Sequence, residues 1–243
     1  MNILIKYPGS KKSLIKDINE VFNKSQCDRI IDVFGGSGVV LLNINAEYKV
    51  YNDINLDLVN LFNTIKYNYN EFYRMVISLK NREVFNYYKY NINSMNGNST
   101  EKAFKTFFLL NTTFGGQGNT YIKYDRSKFN FVLRIINNLN NLKDIISPWI
   151  IENMDYKEII KKYDNDNTFF YIDPPYIGKK WYDFNLDSYR NLNNLVSKIN
   201  GSYLMNFEKS NDAINIFGNP DFVRRYKNTG KSYRYYYFYT NVR

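Results

Sequence analysis

Asp173, Pro174, Pro175 and Tyr176 follow the apolar run TFFYI at 168–172, so a carboxylate, two rigid rings and a phenol share one end of a buried-looking segment. Prolines lack an N–H and fix φ near about −65°, which stiffens the loop and holds its carbonyls as preorganised acceptors. An amino group is a double donor, and the Asp173 carboxylate and Pro174 carbonyl are two rigid acceptors. Together they would orient –NH₂ and raise electron density on its nitrogen as it becomes tetrahedral. Tyr176 adds a flat ring against which a base taken out of its stack can lie. On its own, the tetrapeptide also reads as a proline-stiffened loop with a capping acid.

The rest of the composition narrows the chemistry. The 243 residues include no histidine and one cysteine, Cys27. Catalysis by Ser-His-Asp or Cys-His is therefore excluded, an internal disulfide cannot form, and a zinc or haem site is not expected. The formal charge of +10 points to a polyanionic partner, although a solvated, lysine-biased surface would give the same number. No apolar stretch is long enough to span a membrane, and the N-terminus lacks the apolar core of a signal peptide. The expectation is a reducing intracellular compartment, cytoplasmic or nucleoid-associated, with a viral or phage origin compatible with it.

Alternating strands and helices must position these residues. RIIDVF (29–34) and YKVYND (48–53) read as strands, with VVLLNINAE (39–47) as a helix between them and LDLVNLFNTIKYNY as an amphipathic helix after them. Residues of roughly 66–147 read as helices, including RIINNLNNLKDI, interrupted by an irregular stretch. Alternation then returns: WIIENM, TFFYID and SYLMNF as strands, DYKEIIKKY, LDSYRNLNNLVSKI and NDAINIF as helices, and KSYRYYYFYTNVR as an antiparallel arm at the sheet edge. Strands separated by helices predict a doubly wound α/β sheet. The catalytic domain is expected at 1–65 and 148–243, with a mainly helical insertion at 66–147.

In DVFGGSGVV, Gly35, Gly36 and Gly38 lie between a strand and the segment after it, where glycine permits positive φ and close approach of a ligand. The next strand ends in Asp53, placed to accept from ribose hydroxyls. The spacing is not G-x-G-x-x-G, so a nucleoside-type ligand fits better than a pyrophosphate; an ordinary tight turn with a solvated acid is the other reading. Lys179 and Lys180, just past the tetrapeptide, could meet phosphates or simply be solvated.

These motifs, taken in order, resemble the Dam-like α-group of S-adenosylmethionine-dependent DNA adenine-N6 methyltransferases. KYPGSKKSL is similar to the family's N-terminal K-W-x-G-x-K segment, DVFGGSGVV to its cofactor loop and YNDIN to its second cofactor motif. ENMDYKEII resembles the acid-aromatic motif before the catalytic strand, and YIDPPY the catalytic tetrapeptide. The resemblance implies a Rossmann-like methyltransferase sheet with an inserted DNA-recognition domain. It also implies that Gly35, Gly36, Gly38 and Phe34 line the methionine part of the cofactor and that Asp53 binds its ribose. Asp155 and Tyr156 would meet its adenine, and Tyr7 and Lys11 would sit at the methionine end. Asp173, Pro174, Pro175 and Tyr176 would hold a flipped adenine of double-stranded DNA.

Asn119, Tyr121, Lys123, Tyr124, Arg126 and Lys128 of the insertion are read as DNA contacts, as are Arg224, Arg225 and Lys231 of the tail. The chain departs from the family's F-N-G before its recognition hairpin, with Gly115 in place of Asn, and the segment leading to KFN (128–130) is longer. The target sequence is therefore not carried over. An RNA adenine or guanine-N2 methyltransferase, and a non-catalytic DNA-binding relative, are the rival readings. No metal and no membrane is expected, and the oligomeric state is not readable.

Overall fold

The structure, a computed structural model, describes residues 1–116, 126–176, 184–227 and 233–242. Along the chain run α1 (Ile15–Ser25), β1 (Arg29–Asp32), β2 (Tyr48–Asn52), α2 (Leu56–Tyr67), α3 (Tyr69–Ser78), α4 (Arg82–Asn91), α5 (Ser99–Thr112), α6 (Arg126–Asn137) and α7 (Leu139–Ile146). They continue with β3 (Ile150–Glu152), α8 (Tyr156–Tyr163), β4 (Thr168–Ile172), α9 (Leu186–Val196), β5 (Ser202–Glu208), α10 (Asn211–Phe217), β6 (Phe222–Lys227) and β7 (Tyr233–Thr240). Two compact units divide them: residues 1–12, 35–43 and 53–153 form the first, and 13–34, 44–52 and 154–243 the second. No helix among the described residues is long and apolar enough to cross a membrane.

The second unit carries the strands in the order β2-β1-β4-β5-β7-β6. β2, β1, β4 and β5 are parallel, and β7 runs antiparallel to both β5 and β6. β4 is buried at all five positions, the continuous apolar run expected of a strand covered on both faces. Its register pairs Ile172 with Met205 of β5, so Asp173 emerges at the carboxyl edge of the parallel strands, where open α/β sheets bind ligands. Ile31, Val50, Phe170, Met205 and Phe207 pack with Ile159 of α8 and Leu192 of α9. Side chains cap the covering helices: Asp155 accepts from Lys157 N–H, Asn185 from Ser188 and Ser210 from Ala213.

The first unit is helical with an aromatic core. α5 begins with a capping box between Asn98 and Glu101, and its Phe104, Phe107 and Phe108 are fully buried. Phe107 meets Phe72 of α3 edge to face at 5.8 Å, a favoured geometry for two rings.

Two expectations differ from what forms. VVLLNINAE is a succession of turns, not a helix, after a single helical bond from Leu42 N–H to the Gly38 carbonyl. Asn43 ends it: its side-chain amide donates to the carbonyls of Val39 and Asn2, and its oxygen accepts from Asn2 N–H, so side chain competes with backbone. RIINNLNNLKDI is helical as expected, in two helices that part at Asn138, whose N–H turns back to Ile135 and whose side chain reaches Asn2. The terminal arm is not the sheet edge: β7 lies between β5 and β6, and β6 is outermost. α1 was not read from the sequence.

Candidate active site

In the second unit, Asp173 is held from behind. Asn206, fully buried on β5, donates from Nδ2 to Asp173 Oδ1 at 3.1 Å. Its own oxygen accepts from the Tyr171 hydroxyl at 2.6 Å. That second bond fixes the amide's orientation, so its NH₂ faces the carboxylate. Burial, then the negative charge of Asp173, raises the Tyr171 phenol well above its usual range, so it stays a neutral donor. A carboxylate has roughly four acceptor positions, so the bond to Asn206 positions Asp173 without exhausting it.

The proline loop has its own clamp. The Tyr189 hydroxyl, on α9, donates to the Pro175 carbonyl at 2.5 Å, and burial pushes this phenol up to about 12. Tyr176 packs against the core beneath the sheet edge. Burial first, then the charge of Asp173, lifts its phenol well above the usual range, so it offers a ring and a neutral hydroxyl, not a base.

An aromatic cluster leads from the end of β1 to that clamp. Phe34 stacks on Tyr156 at 5.9 Å, Phe184 meets Tyr156 at 5.4 Å, and Phe184 meets Tyr189 edge-on at 4.7 Å. Asp155, exposed, caps α8 with one oxygen. Asn52 fastens the Val33 carbonyl and both the N–H and the carbonyl of Met154.

In the first unit, the glycine turn and the acid are bonded to one another. Gly36 (φ 50°) and Gly38 (φ 65°) occupy the left-handed region. Gly36 N–H donates to Asp53 Oδ2 at 2.7 Å and Asn55 N–H to Oδ1 at 2.8 Å. Asn153 donates to the Asp53 carbonyl at 2.7 Å. Asp53 is only 7% exposed; burial pushes its carboxyl up, while the N–H groups of Asn55, Gly36 and Ile54 pull it back down. A Cβ on Gly38 would come within 2.7 Å of the Phe62 ring, so packing demands glycine there as much as φ does. The Tyr7–Lys11 turn joins this group: Ser37 bonds Ser10, and buried Lys11 donates to the Gly9 carbonyl at 2.7 Å.

Thus the first unit gathers Tyr7, Lys11, Gly35, Gly36, Gly38 and Asp53, and the second holds Phe34, Asp155, Tyr156, Asp173, Pro174, Pro175 and Tyr176. Of the basic residues, Arg126 is exposed at the start of α6, while Lys128 braces the Thr113 carbonyl at 3.0 Å. Arg224 is paired with Asp17 at 2.7 Å, and Arg225 lies over the Tyr233 ring at 4.5 Å. Asn119, Tyr121, Lys123, Tyr124, Lys179, Lys180 and Lys231 lie outside the described residues. Gly115 sits at φ 60°, a conformation Asn also tolerates, so relative to the F-N-G pattern the backbone requirement is met and the side chain is dropped. Asn206, Tyr171 and Tyr189 were missed from the sequence; an Asn inside the apolar strand SYLMNF was the available signal, since a buried amide needs partners.

The model of the family described as D12 class N6 adenine-specific DNA methyltransferase matches residues 7–225. The chain belongs to this family. Among curated relatives of this D12-class chain, the Type II methyltransferase M.CviBI of Paramecium bursaria Chlorella virus NC1A is 25% identical, over 92% of this chain and 85% of that one. The DNA adenine methylase of Haemophilus influenzae is 46% identical over 65 residues, 26% of this chain and 22% of the relative. That of Escherichia coli K12 is 34% identical over 68 residues, 28% and 24% of the two chains. The match to these two adenine methylases thus spans less than a quarter of their length.

Proposed function

We propose that this D12-class chain transfers a methyl group from S-adenosylmethionine to the N6 amino group of adenine in a specific double-stranded DNA sequence. The observation that carries this reading is the Tyr171–Asn206–Asp173 chain ending at the carboxyl edge of β4, beside a proline loop clamped by Tyr189. An adenine taken out of its stack would present –NH₂ to the Asp173 carboxylate and the Pro174 carbonyl, with its ring against Tyr176. As N6 becomes tetrahedral it gains positive charge, which these fixed acceptors stabilise. With no histidine in the chain, the reaction relies on an activated donor; S-adenosylmethionine, when bound, supplies a sulfonium-activated methyl group.

The donor set fits such a cofactor: a positive-φ glycine turn for close approach and a buried carboxylate with acceptor capacity for a diol. Gly35, Gly36, Gly38 and Asp53, with Tyr7 and Lys11, would hold it in the first unit. Phe34, Asp155 and Tyr156 would offer an aromatic face and an acceptor to an adenine ring. The segment 66–147 would carry target recognition.

The reading is tested by incubating the full chain with labelled S-adenosylmethionine and duplex DNA or RNA, followed by nucleoside analysis. N6-methyladenine from DNA is expected; label confined to RNA, or found as N2-methylguanine, would overturn it. Asp53 gives a further check. Burial raises its pKa, so it takes up a proton on acidification sooner than an exposed aspartate. The KM for S-adenosylmethionine should rise as pH falls toward that pKa, and Asp53→Asn should make KM high and independent of pH. A wild-type KM that stays flat down to acid unfolding removes Asp53 from the cofactor site.

A further inference from the structure

The β6–β7 hairpin has two unlike faces, because successive side chains of a strand point to opposite sides. One face carries Arg224 and Tyr226, both bonded to Asp17 of α1, together with Tyr236 and the exposed Arg234, which bonds Tyr236. The other carries Val223, Arg225 and Lys227 opposite Tyr237, Tyr235 and Tyr233. Tyr237 is buried on the core, but Tyr235 is 40% and Tyr233 49% exposed, and Arg225 and Lys227 are exposed beside them. Lys209, just after β5, lies over the Tyr235 ring at 5.7 Å and adds a third cation to this face. Neither β6 nor β7 contains an acid, and Glu208 of β5 pairs with Tyr236 on the opposite face.

Register places this face. Ile172, the residue before Asp173, aligns with Met205 and through it with Tyr239 of β7. From Tyr239 the strand runs back six residues to Tyr233, about 20 Å beyond the catalytic edge at ~3.4 Å per residue, or about six base-pair steps. The Arg225 guanidinium lies over the Tyr233 ring at 4.5 Å, a cation–π contact that restrains it on this exposed side of the hairpin. A guanidinium so restrained is a fork that suits a phosphate.

We infer that Arg225 over Tyr233, Lys209 over Tyr235 and Lys227 opposite Tyr233 form a phosphate-contacting platform for duplex DNA flanking the target base, while Arg224 serves the fold through Asp17. This inference rests on the DNA reading above and deepens it. The test compares wild type with the Arg225→Ala/Lys227→Ala double variant, using a random-sequence duplex, with methylation and DNA binding measured separately across salt concentrations. The KM for DNA should rise about tenfold or more near 0.15 M salt, and the salt slope of binding should fall by about two, one per phosphate contact removed. Saturated kcat, the KM for S-adenosylmethionine and thermal stability should be unchanged. Arg224→Ala should do the reverse, lowering Tm with little effect on the slope. An unchanged KM and slope in the double variant, the result expected if these charges only guard an edge strand against aggregation, overturns the platform. Slope loss with RNA but not with DNA overturns it too. Wild type that binds duplex but deposits no methyl group refutes the activity reading instead, and the binding slope still decides the platform.

Discussion

Asp173→Ala is expected to lower kcat by about a thousandfold, the scale on which deleting one preorganised electrostatic partner of a transition state acts. Binding of both substrates should stay within a few-fold of wild type. The expectation follows from what the carboxylate faces. On one side it is held by Asn206 at 3.1 Å; on the other, at the carboxyl edge of β4, it would meet an amino group whose charge grows during the reaction. An interaction that strengthens toward the transition state appears in kcat and not in KM. The substitution also leaves the buried Asn206 amide with an unmatched donor, at a cost of about 1–3 kcal/mol of stability. Thermal melting and cofactor binding must therefore accompany the rate measurement. Asp173→Asn keeps the volume but turns half of the acceptor into a donor aimed at another donor, so it should be nearly as inactive. Wild-type methylation in either variant would sink the role given to Asp173.

What could be read from the sequence was local, and what could not was long-range. DPPY was legible because a five-residue apolar run needs a partner on each face, and a parallel strand buried that way presents its carboxyl end to a ligand. The glycine turn and Asp53 were legible as types at a spacing, though the Gly36–Asp53 bond that joins them was not. The helix expected after that turn failed because Asn43 bonds Asn2, 41 positions away. Charge was the poorest guide. Arg224 looked identical to Arg225 until Asp17, 207 positions distant, claimed it and left its neighbour on the opposite face. Tyr189, at a core-facing position of an amphipathic helix, looked like packing alone; its hydroxyl is what holds the Pro175 carbonyl.

Asn206→Leu is the sharper test of how the site is built, because it removes no group that would touch substrate. Leu matches the amide in shape, so the strand should still fold, but the buried Tyr171 hydroxyl loses its partner and the half-buried Asp173 carboxylate loses its bond to β5. Leaving the buried Tyr171 hydroxyl unsatisfied costs about 1–3 kcal/mol, so the single variant should be destabilised. Adding Tyr171→Phe deletes that unsatisfied hydroxyl, so the double variant should recover part of that stability and the cycle should be strongly non-additive. Activity should not follow the same course. With Asn206 gone, the amide that holds Asp173 from β5 is lost, and kcat should fall by about 10–100-fold in both the single and the double variant, since loosened catalytic geometry is penalised on that scale. Tyr171→Phe alone leaves the Asn206–Asp173 bond in place and should reduce kcat only a few-fold. If stability and kcat instead recover together in the double variant, Asn206 matters only to the fold. If stability returns while kcat stays low, the Asn206 amide is a positioning group for the catalytic carboxylate.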